Sequence, residues 1–273
     1  MLTQAEKGSR FAALHERDRA FIIPNPWDAG TARLLEHLGF EALATTSAGY
    51  AFSQGRRDNT TSRDEMLMHA SAIASATDLP VSADLEGGFG DSPEEVAETI
   101  RRAAGTGLSG CSIEDMSSDP EHSIYEREHA ADRIRAAAEV VRGLPFRFTL
   151  TARAENYLVG KRDLKDTVQR LQAYQEAGAD VLYAPGLTTK EDIAAVVQSV
   201  DRPVNVIMGL QGSQFTLAEL SVLGVRRVSV GSALSRAALG AFLRAAREMQ
   251  EHGTFSFAEE AVSYRDISAM FKV

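Results

Sequence analysis

Short apolar runs rich in β-branched residues alternate with amphipathic stretches along the whole chain. Runs at 20–24, 41–46, 80–83, 110–113, 146–151, 181–184, 204–208 and 227–230 read as strands, each apolar on both faces. Between them the apolar positions recur at helical spacing, as in 31–38, 93–104, 130–141, 164–177 and 190–199. Gly39, Gly105, Gly143, Gly178 and Gly224 each follow a helical run, where a left-handed cap is expected. Eight strand-then-helix units with doubly apolar strands predict a parallel sheet closed into a (β/α)8 TIM-type barrel.

A length of 273 residues suits one such barrel spanning 1–273, and no linker-like or low-complexity stretch divides the chain. Two segments fall outside the repeat. Residues 2–17 read as a helix placed under the barrel. Residues 255–271 carry Phe255, Phe257, Tyr264, Ile267, Met270 and Phe271, more apolar surface than a terminal helix leaves exposed in a monomer. This predicts a subunit contact and a homo-oligomer.

The apolar fraction of 44% and charged fraction of 25% are those of an ordinary globular protein, and no apolar stretch is long enough to span a membrane. The N-terminus lacks a basic-then-apolar signal pattern, and the lone Cys111 precludes an internal disulfide; both predict a cytoplasmic protein. A net charge of −9 without a basic run argues against nucleic acid and anionic membranes as partners. It leaves room for a small carboxylate substrate if the site supplies its own cations.

The stretch Val81-Ser82-Ala83-Asp84-Leu85-Glu86-Gly87-Gly88-Phe89-Gly90-Asp91 runs from a strand into two carboxylates and a glycine-rich turn. In an extended strand residues i and i+2 share a side, so Asp84 and Glu86 are expected to aim together, and a hard divalent cation relieves their repulsion. The competing reading is a loop that merely solvates two acids ahead of a helix. Polar groups gather at the carboxyl ends of neighbouring strands: Asn25 to Asp28, Thr45 to Gly49, Asp84 with Glu86, Glu114 with Asp115, and Arg153 to Asn156. In a barrel these ends form the active-site face. Asp84, Glu86 and Glu114 are expected to share one Mg2+ or Mn2+, partly through water. Arg153 offers a planar fork to a carboxylate, or else forms a structural ion pair with Glu155 or Glu114. Ser47, Ala48 and Gly49 offer backbone N–H groups and a hydroxyl for a second anionic group. Asp115 is expected to turn away from the centre, and Asp28 reads as a helix cap.

Ser47-Ala48-Gly49, Asp84-x-Glu86-x-Gly-x-Gly, Ile113-Glu114-Asp115 and Ala152-Arg153-Ala154-Glu155 together resemble the isocitrate lyase/phosphoenolpyruvate mutase superfamily over most of the chain. The resemblance implies a barrel whose C-terminal helix is swapped between subunits, in a dimer of dimers. It also implies Mg2+, a 2-oxoacid and an enolate-like species. By motif match, Asp84 holds metal, Glu86 and Glu114 act through water, Arg153 binds substrate, and Asp58 is a further active-site acid.

The departures narrow the chemistry. The Lys-Lys/Arg-Cys-Gly-His loop of isocitrate and methylisocitrate lyases is replaced by 116–126, Met-Ser-Ser-Asp-Pro-Glu-His-Ser-Ile-Tyr-Glu, and the mutase-type loop is absent too. Cys111 lies inside an apolar strand and reads as a buried small hydrophobe. Ala184 and Pro185 stand where lyases carry a glutamate and mutases a histidine. An aldol-type lyase needs a positioned acid–base pair. Decarboxylation of an oxaloacetate-like acid, or a related retro-Claisen cleavage, needs chiefly an electron sink. His122 and Tyr125 are the candidate proton donors in that case, against the commoner reading of an exposed loop histidine that is merely solvated. Alternatives are a 2-methylisocitrate-type or phosphonate enzyme, or a non-catalytic 2-oxoacid-binding protein. Tyr50, Phe52, Tyr183 and Met208 are expected to set pocket size.

Overall fold

The computed structural model describes residues 2–117, 119, 123–210 and 214–271. Eight parallel strands pair in the order β1-β8-β7-β6-β5-β4-β3-β2. They are β1 Phe21–Ile23, β2 Leu43–Ala44, β3 Val81–Asp84, β4 Gly110–Glu114, β5 Thr149–Arg153, β6 Val181–Tyr183, β7 Val204–Ile207 and β8 Arg227–Ser229. The seam between β1 and β2 is drawn together by the Ala44 N–H donating to Pro24 O at 3.0 Å. Asn25 adds to it: its Oδ1 accepts from Val230 N (2.9 Å) and Gly231 N (3.0 Å), and its Nδ2 donates to Thr45 O (2.9 Å). All eight predicted strands are present, and the fold is a (β/α)8 barrel.

The helices are α1 Gln4–His15, α2 Ala29–His37, α3 Ser47–Ser53, α4 Arg63–Ala76, α5 Pro93–Ala104, α6 Arg127–Arg142, α7 Leu164–Ala177, α8 Lys190–Gln198, α9 Leu217–Val222, α10 Ala233–His252 and α11 Tyr264–Met270. Side-chain caps set many of the starts; Ser92 with Glu95 forms a capping box ahead of Pro93, which fixes φ at the first helical position. Asp28 caps α2 as expected, accepting from Thr31 N at 2.7 Å. Gly39, Gly178 and Gly224 are left-handed at φ 84°, 110° and 89°. Gly105 and Gly143 are not: both sit at φ −81°. Those two helices close by tight backbone bonds (Gly105 N to Arg102 O, Gly143 N to Val140 O), which leave the glycine right-handed.

The predicted N-terminal helix stoppers the bottom of the barrel. Phe11, Leu14, Phe21, Ile23 and Ala42 are buried together, and a Cβ on Gly110 would meet Phe11 at 3.1 Å. The main core lies between strands and helices, where small residues of α6 (Ala130, Ala131, Ala137, Ala138) let it approach its neighbours. The strands are not apolar on both faces. Ser82, Ser112, Thr151, Asn205 and Arg227 are inward-facing, in an interior that barrels usually fill with branched aliphatics. At the other end of the chain, α10 buries only Ser235 and leaves Leu239, Phe242 and Leu243 exposed, Phe242 by 66%. Phe255, Val262 and Tyr264 are exposed as well.

Candidate active site

A cavity of about 200 Å³ opens at the carboxyl ends of the strands and is lined by Ser47, Ala48, Asp58, Asp84, Arg153 and Tyr183 at its mouth. Deeper it reaches Asn205, Arg227 and Ser229. Glu114 and Arg153 are register neighbours on β4 and β5, at the tips of the two longest strands.

Arg153 is the hub. Its Nη1 donates to Asp84 Oδ1 (2.9 Å), its Nη2 pairs with Glu114 Oε2 (3.0 Å), and its Nε donates to Glu155 Oε1 (2.7 Å). The structural ion pair weighed from the sequence is therefore present to both Glu114 and Glu155. A guanidinium carries five N–H groups, so two remain for a ligand. Glu155 is fully buried, and its N–H donates to Asp115 Oδ1 at 2.8 Å. Asp115 turns away from the cavity as predicted; its Oδ2 accepts from Tyr174 OH (2.6 Å) and Arg170 Nη1 (3.1 Å). That buried trio fixes the chain behind Arg153.

Ser47, Ala48 and Gly49 begin the seven-residue α3 rather than an open loop. Ser47 N and Oγ donate to Asp84 Oδ2 at 3.1 and 2.8 Å, while Gly49 N donates to Thr46 Oγ1 at 3.2 Å. The two Ser47 donors thus orient Asp84, while Gly49 N closes the helix cap. The strand alternation expected for Asp84 and Glu86 is not what brings them together. β3 ends at Asp84, and Glu86 adopts a left-handed φ of 49°, a strained conformation for a non-glycine residue. The turn is held by Glu114 N donating to Glu86 O (3.0 Å) and by Arg133 of α6. Arg133 donates to the carbonyls of Glu114 (3.2 Å), Gly87 and Gly90 (3.0 Å), with its guanidinium 4.2 Å from the centre of the Tyr125 ring. The sequence reading missed Arg133, although an arginine on the alanine-rich stripe 130–138 was a visible signal. Gly88, at φ 82° with Val96 3.0 Å from where a Cβ would stand, completes the turn.

Negative charge exceeds positive here. Burial, and then the charges of Asp84 and Asp58, push the Glu86 carboxyl up to about 7, while Thr61 Oγ1 donates to it at 3.2 Å. Partial burial and Asp84 raise Asp58, at the cavity's lip. Burial raises Glu114 well above its ordinary range, against the pull of Arg153. Carboxylates that hold one another's protons on are a donor set suited to a hard cation. Among the described residues no three His, Cys, Asp or Glu side chains converge closely enough to ligate one ion directly. The set fits a cation that keeps most of its water, with Asp84, Glu86 and Asp58 around it and Glu114 turned to Arg153.

Tyr125 stands apart from this cavity. Its hydroxyl donates to Asp91 Oδ1, and burial together with that bond raises its pKa to about 12. His122 lies outside the described residues. Cys111 is fully buried with its thiol pKa pushed up by burial, as expected of a packing residue. Tyr183 lines the mouth, with the Arg153 guanidinium 5.2 Å from its ring centre.

A parallel barrel with acids and an arginine gathered at its carboxyl-end mouth has the arrangement of a (β/α)8 enzyme. Residues 11–250 match the family model for phosphoenolpyruvate phosphomutase, and the chain belongs to that family, an enzyme superfamily of carbon–carbon lyases and mutases. It is similar to an inferred lyase/mutase of Burkholderia cenocepacia J2315, with 61% identity, TM-score 0.97, and 99% of this chain and 97% of that one covered. It is 30% identical to the 2-methylisocitrate lyase of Shewanella oneidensis over 90% of this chain and 86% of the relative. Oxaloacetate acetylhydrolase, solved with its product oxalate, superposes with TM-score 0.86 and 26% identity, covering 98% and 93% of the two chains.

Proposed function

We propose that this protein is a divalent-metal-dependent carbon–carbon lyase acting on a small 2-oxo-dicarboxylate of the oxaloacetate type, through an enolate. The observation that carries the reading is the mouth itself: Asp58, Asp84, Glu86 and Glu114 crowd around the single guanidinium of Arg153. Mg2+ or Mn2+ held by Asp84 and, through water, by Glu86 would supply a Lewis acid for the 2-oxo oxygen. Arg153 would offer its two remaining N–H groups to the same oxygen, where negative charge develops. The carbon–carbon bond breaks, carbon dioxide leaves, the electron pair passes to the 2-oxo group, and the enolate then takes a proton from solvent to give the 2-oxoacid product. Ser47 keeps Asp84 aimed at the mouth, and Arg133 keeps Glu86 there. The loop 116–126 carries no cysteine or lysine, which favours a cleavage without an acid–base pair at the bond-breaking step. A cavity of about 200 Å³ suits a small polyacid.

The likeness to a 2-methylisocitrate lyase favours a second reading, aldol-type cleavage of a hydroxy-tricarboxylate; release of a dicarboxylate beside a 2-oxoacid would identify it. The test is incubation with Mg2+ and oxaloacetate, following loss of the 2-oxoacid against metal alone and against an Asp84→Ala variant. Turnover well above both controls is expected; loss no faster than with metal alone overturns the decarboxylase reading.

Assembly follows from α10. The outer face of β1 is open, with Ile22 36% exposed, while the helix that would cover it holds its apolar residues out. Exchange of that helix between copies of this chain in a homo-oligomer covers both surfaces at once. Sedimentation at micromolar concentration is expected to show a dimer or tetramer, and a monomer would contradict it.

A further inference from the structure

Arg227 is a guanidinium enclosed in the barrel with no opposing charge. It is 5% exposed. Its Nε donates to Asn205 Oδ1 (2.9 Å), its Nη2 donates to Thr151 Oγ1 (3.0 Å), and its Nη1 lies 3.4 Å from His15 Nε2. All three partners are neutral. His15 Nδ1 donates to Phe11 O at 2.9 Å, and burial with the nearby Arg227 charge drives the His15 pKa down to about 3, so Nε2 is a bare acceptor. Among the described residues no carboxylate pairs with Arg227. Burying an unpaired charge is expensive, and most buried charges are paired or bind a ligand.

The strand register shows what this charge serves. Arg153 stands opposite Tyr183, Tyr183 opposite Asn205, and Asn205 opposite Arg227, so one inward row runs from the mouth guanidinium to the enclosed one. The active-site cavity follows that row and touches all four side chains. Asn205 Nδ2 donates to Ser229 Oγ at 3.0 Å, which keeps its Oδ1 turned to Arg227. The two cations differ in one respect: Arg153 already faces three carboxylates, and Arg227 faces none.

We propose that Arg227 is the second anion anchor of the cavity and draws in one carboxylate of a small dicarboxylate whose other end lies at the mouth beside Arg153. The inference rests on the reading above that the substrate is such an acid, and it names the residue that selects dicarboxylates over monocarboxylates. Three of the five guanidinium N–H groups are engaged by Asn205, Thr151 and His15, and two remain for the incoming carboxylate.

Binding, rather than turnover, separates this inference from the reaction it rests on. Calorimetric titration of the Mg2+-loaded protein with succinate, malonate and acetate is expected to show at least one dicarboxylate bound about tenfold or more tighter than acetate. Arg227→Gln keeps polar contacts with Asn205 and Thr151 while removing the charge. It is expected to erase the preference and to leave acetate binding unchanged. Asn205→Asp, which gives Arg227 an internal counterion, is expected to weaken dicarboxylate binding with the arginine still in place, and answers the question if Arg227→Gln does not fold. A wild type without the preference, or a folded Arg227→Gln that retains it, overturns the proposal. If the preference holds while oxaloacetate is not turned over, only the assigned reaction fails.

Discussion

Arg153 and Glu114 stand opposite each other in the β4–β5 register and close a 3.0 Å ion pair at the mouth of the barrel. Two further carboxylates share the same guanidinium, so its planar shape decides how Asp84, Glu114 and Glu155 are spaced. Arg153→Lys replaces three directional contacts with a point charge. The kcat/KM for the 2-oxoacid is expected to fall about a hundredfold or more, with the midpoint of urea unfolding lowered as well. Near-normal kinetics would show that position and charge alone suffice.

Asp84 is held from both sides, by Ser47 and by Arg153, and is the carboxylate proposed to meet the cation directly. Asp84→Ala is expected to abolish the heat of Mg2+ binding in calorimetry and to reduce turnover by at least about a hundredfold. Retained turnover in the presence of a chelator would refute metal dependence.

Glu86 gives stability a distinctive pH dependence. Its folded-state pKa is raised from 4.5 to about 7, so between those values the folded state holds a proton that the unfolded state has released. Stability therefore falls as pH rises from about 4.5 through about 7, by at most about 3 kcal/mol for this one group. Below that window the proton is present in both states and the penalty is absent. Glu86→Gln is expected to flatten this part of the unfolding profile and to stabilise the metal-free protein at pH 8. Added Mg2+ is expected to raise the melting temperature more at pH 8 than at pH 5. Equal rises at both values would place the cation away from Glu86.

Tyr174 reaches the site through Asp115, whose other oxygen anchors the Glu155 N–H. Tyr174→Phe leaves a buried carboxylate one donor short, at a cost of about 1–3 kcal/mol in chemical denaturation. Because Glu155 in turn holds Arg153, kcat is expected to fall more than KM changes. An altered stability with unchanged kcat would confine Tyr174 to folding.

The alternation of apolar runs made the barrel legible, since its period survives small errors at the ends of each element. The acids at the strand tips were legible for the same reason: a barrel has one active-site face. Residues whose role depends on neighbours distant in sequence were not. Ser47 reads as a donor to a ligand, yet it faces Asp84, 37 positions away. Glu86 reads as the next same-side residue of a strand, but the strand stops two residues earlier and a left-handed turn takes over. Arg133 shows as a charge on an alanine-rich stripe and Arg227 as one in an apolar strand, but neither pattern says which carbonyls or side-chain amide and hydroxyl they meet. Gly105 and Gly143 show that a glycine after a helix marks where it stops, not which way its φ turns.

The helix that stoppers the barrel's amino end has a kinetic consequence. With Phe11 and Leu14 packed beneath the strands, the chamber opens, among the described residues, at the carboxyl ends. A molecule cleaved inside it sheds its outer fragment before its inner one can follow. Departure of the two products is then ordered, and the fragment lodged deeper competes with the next substrate for the vacated chamber.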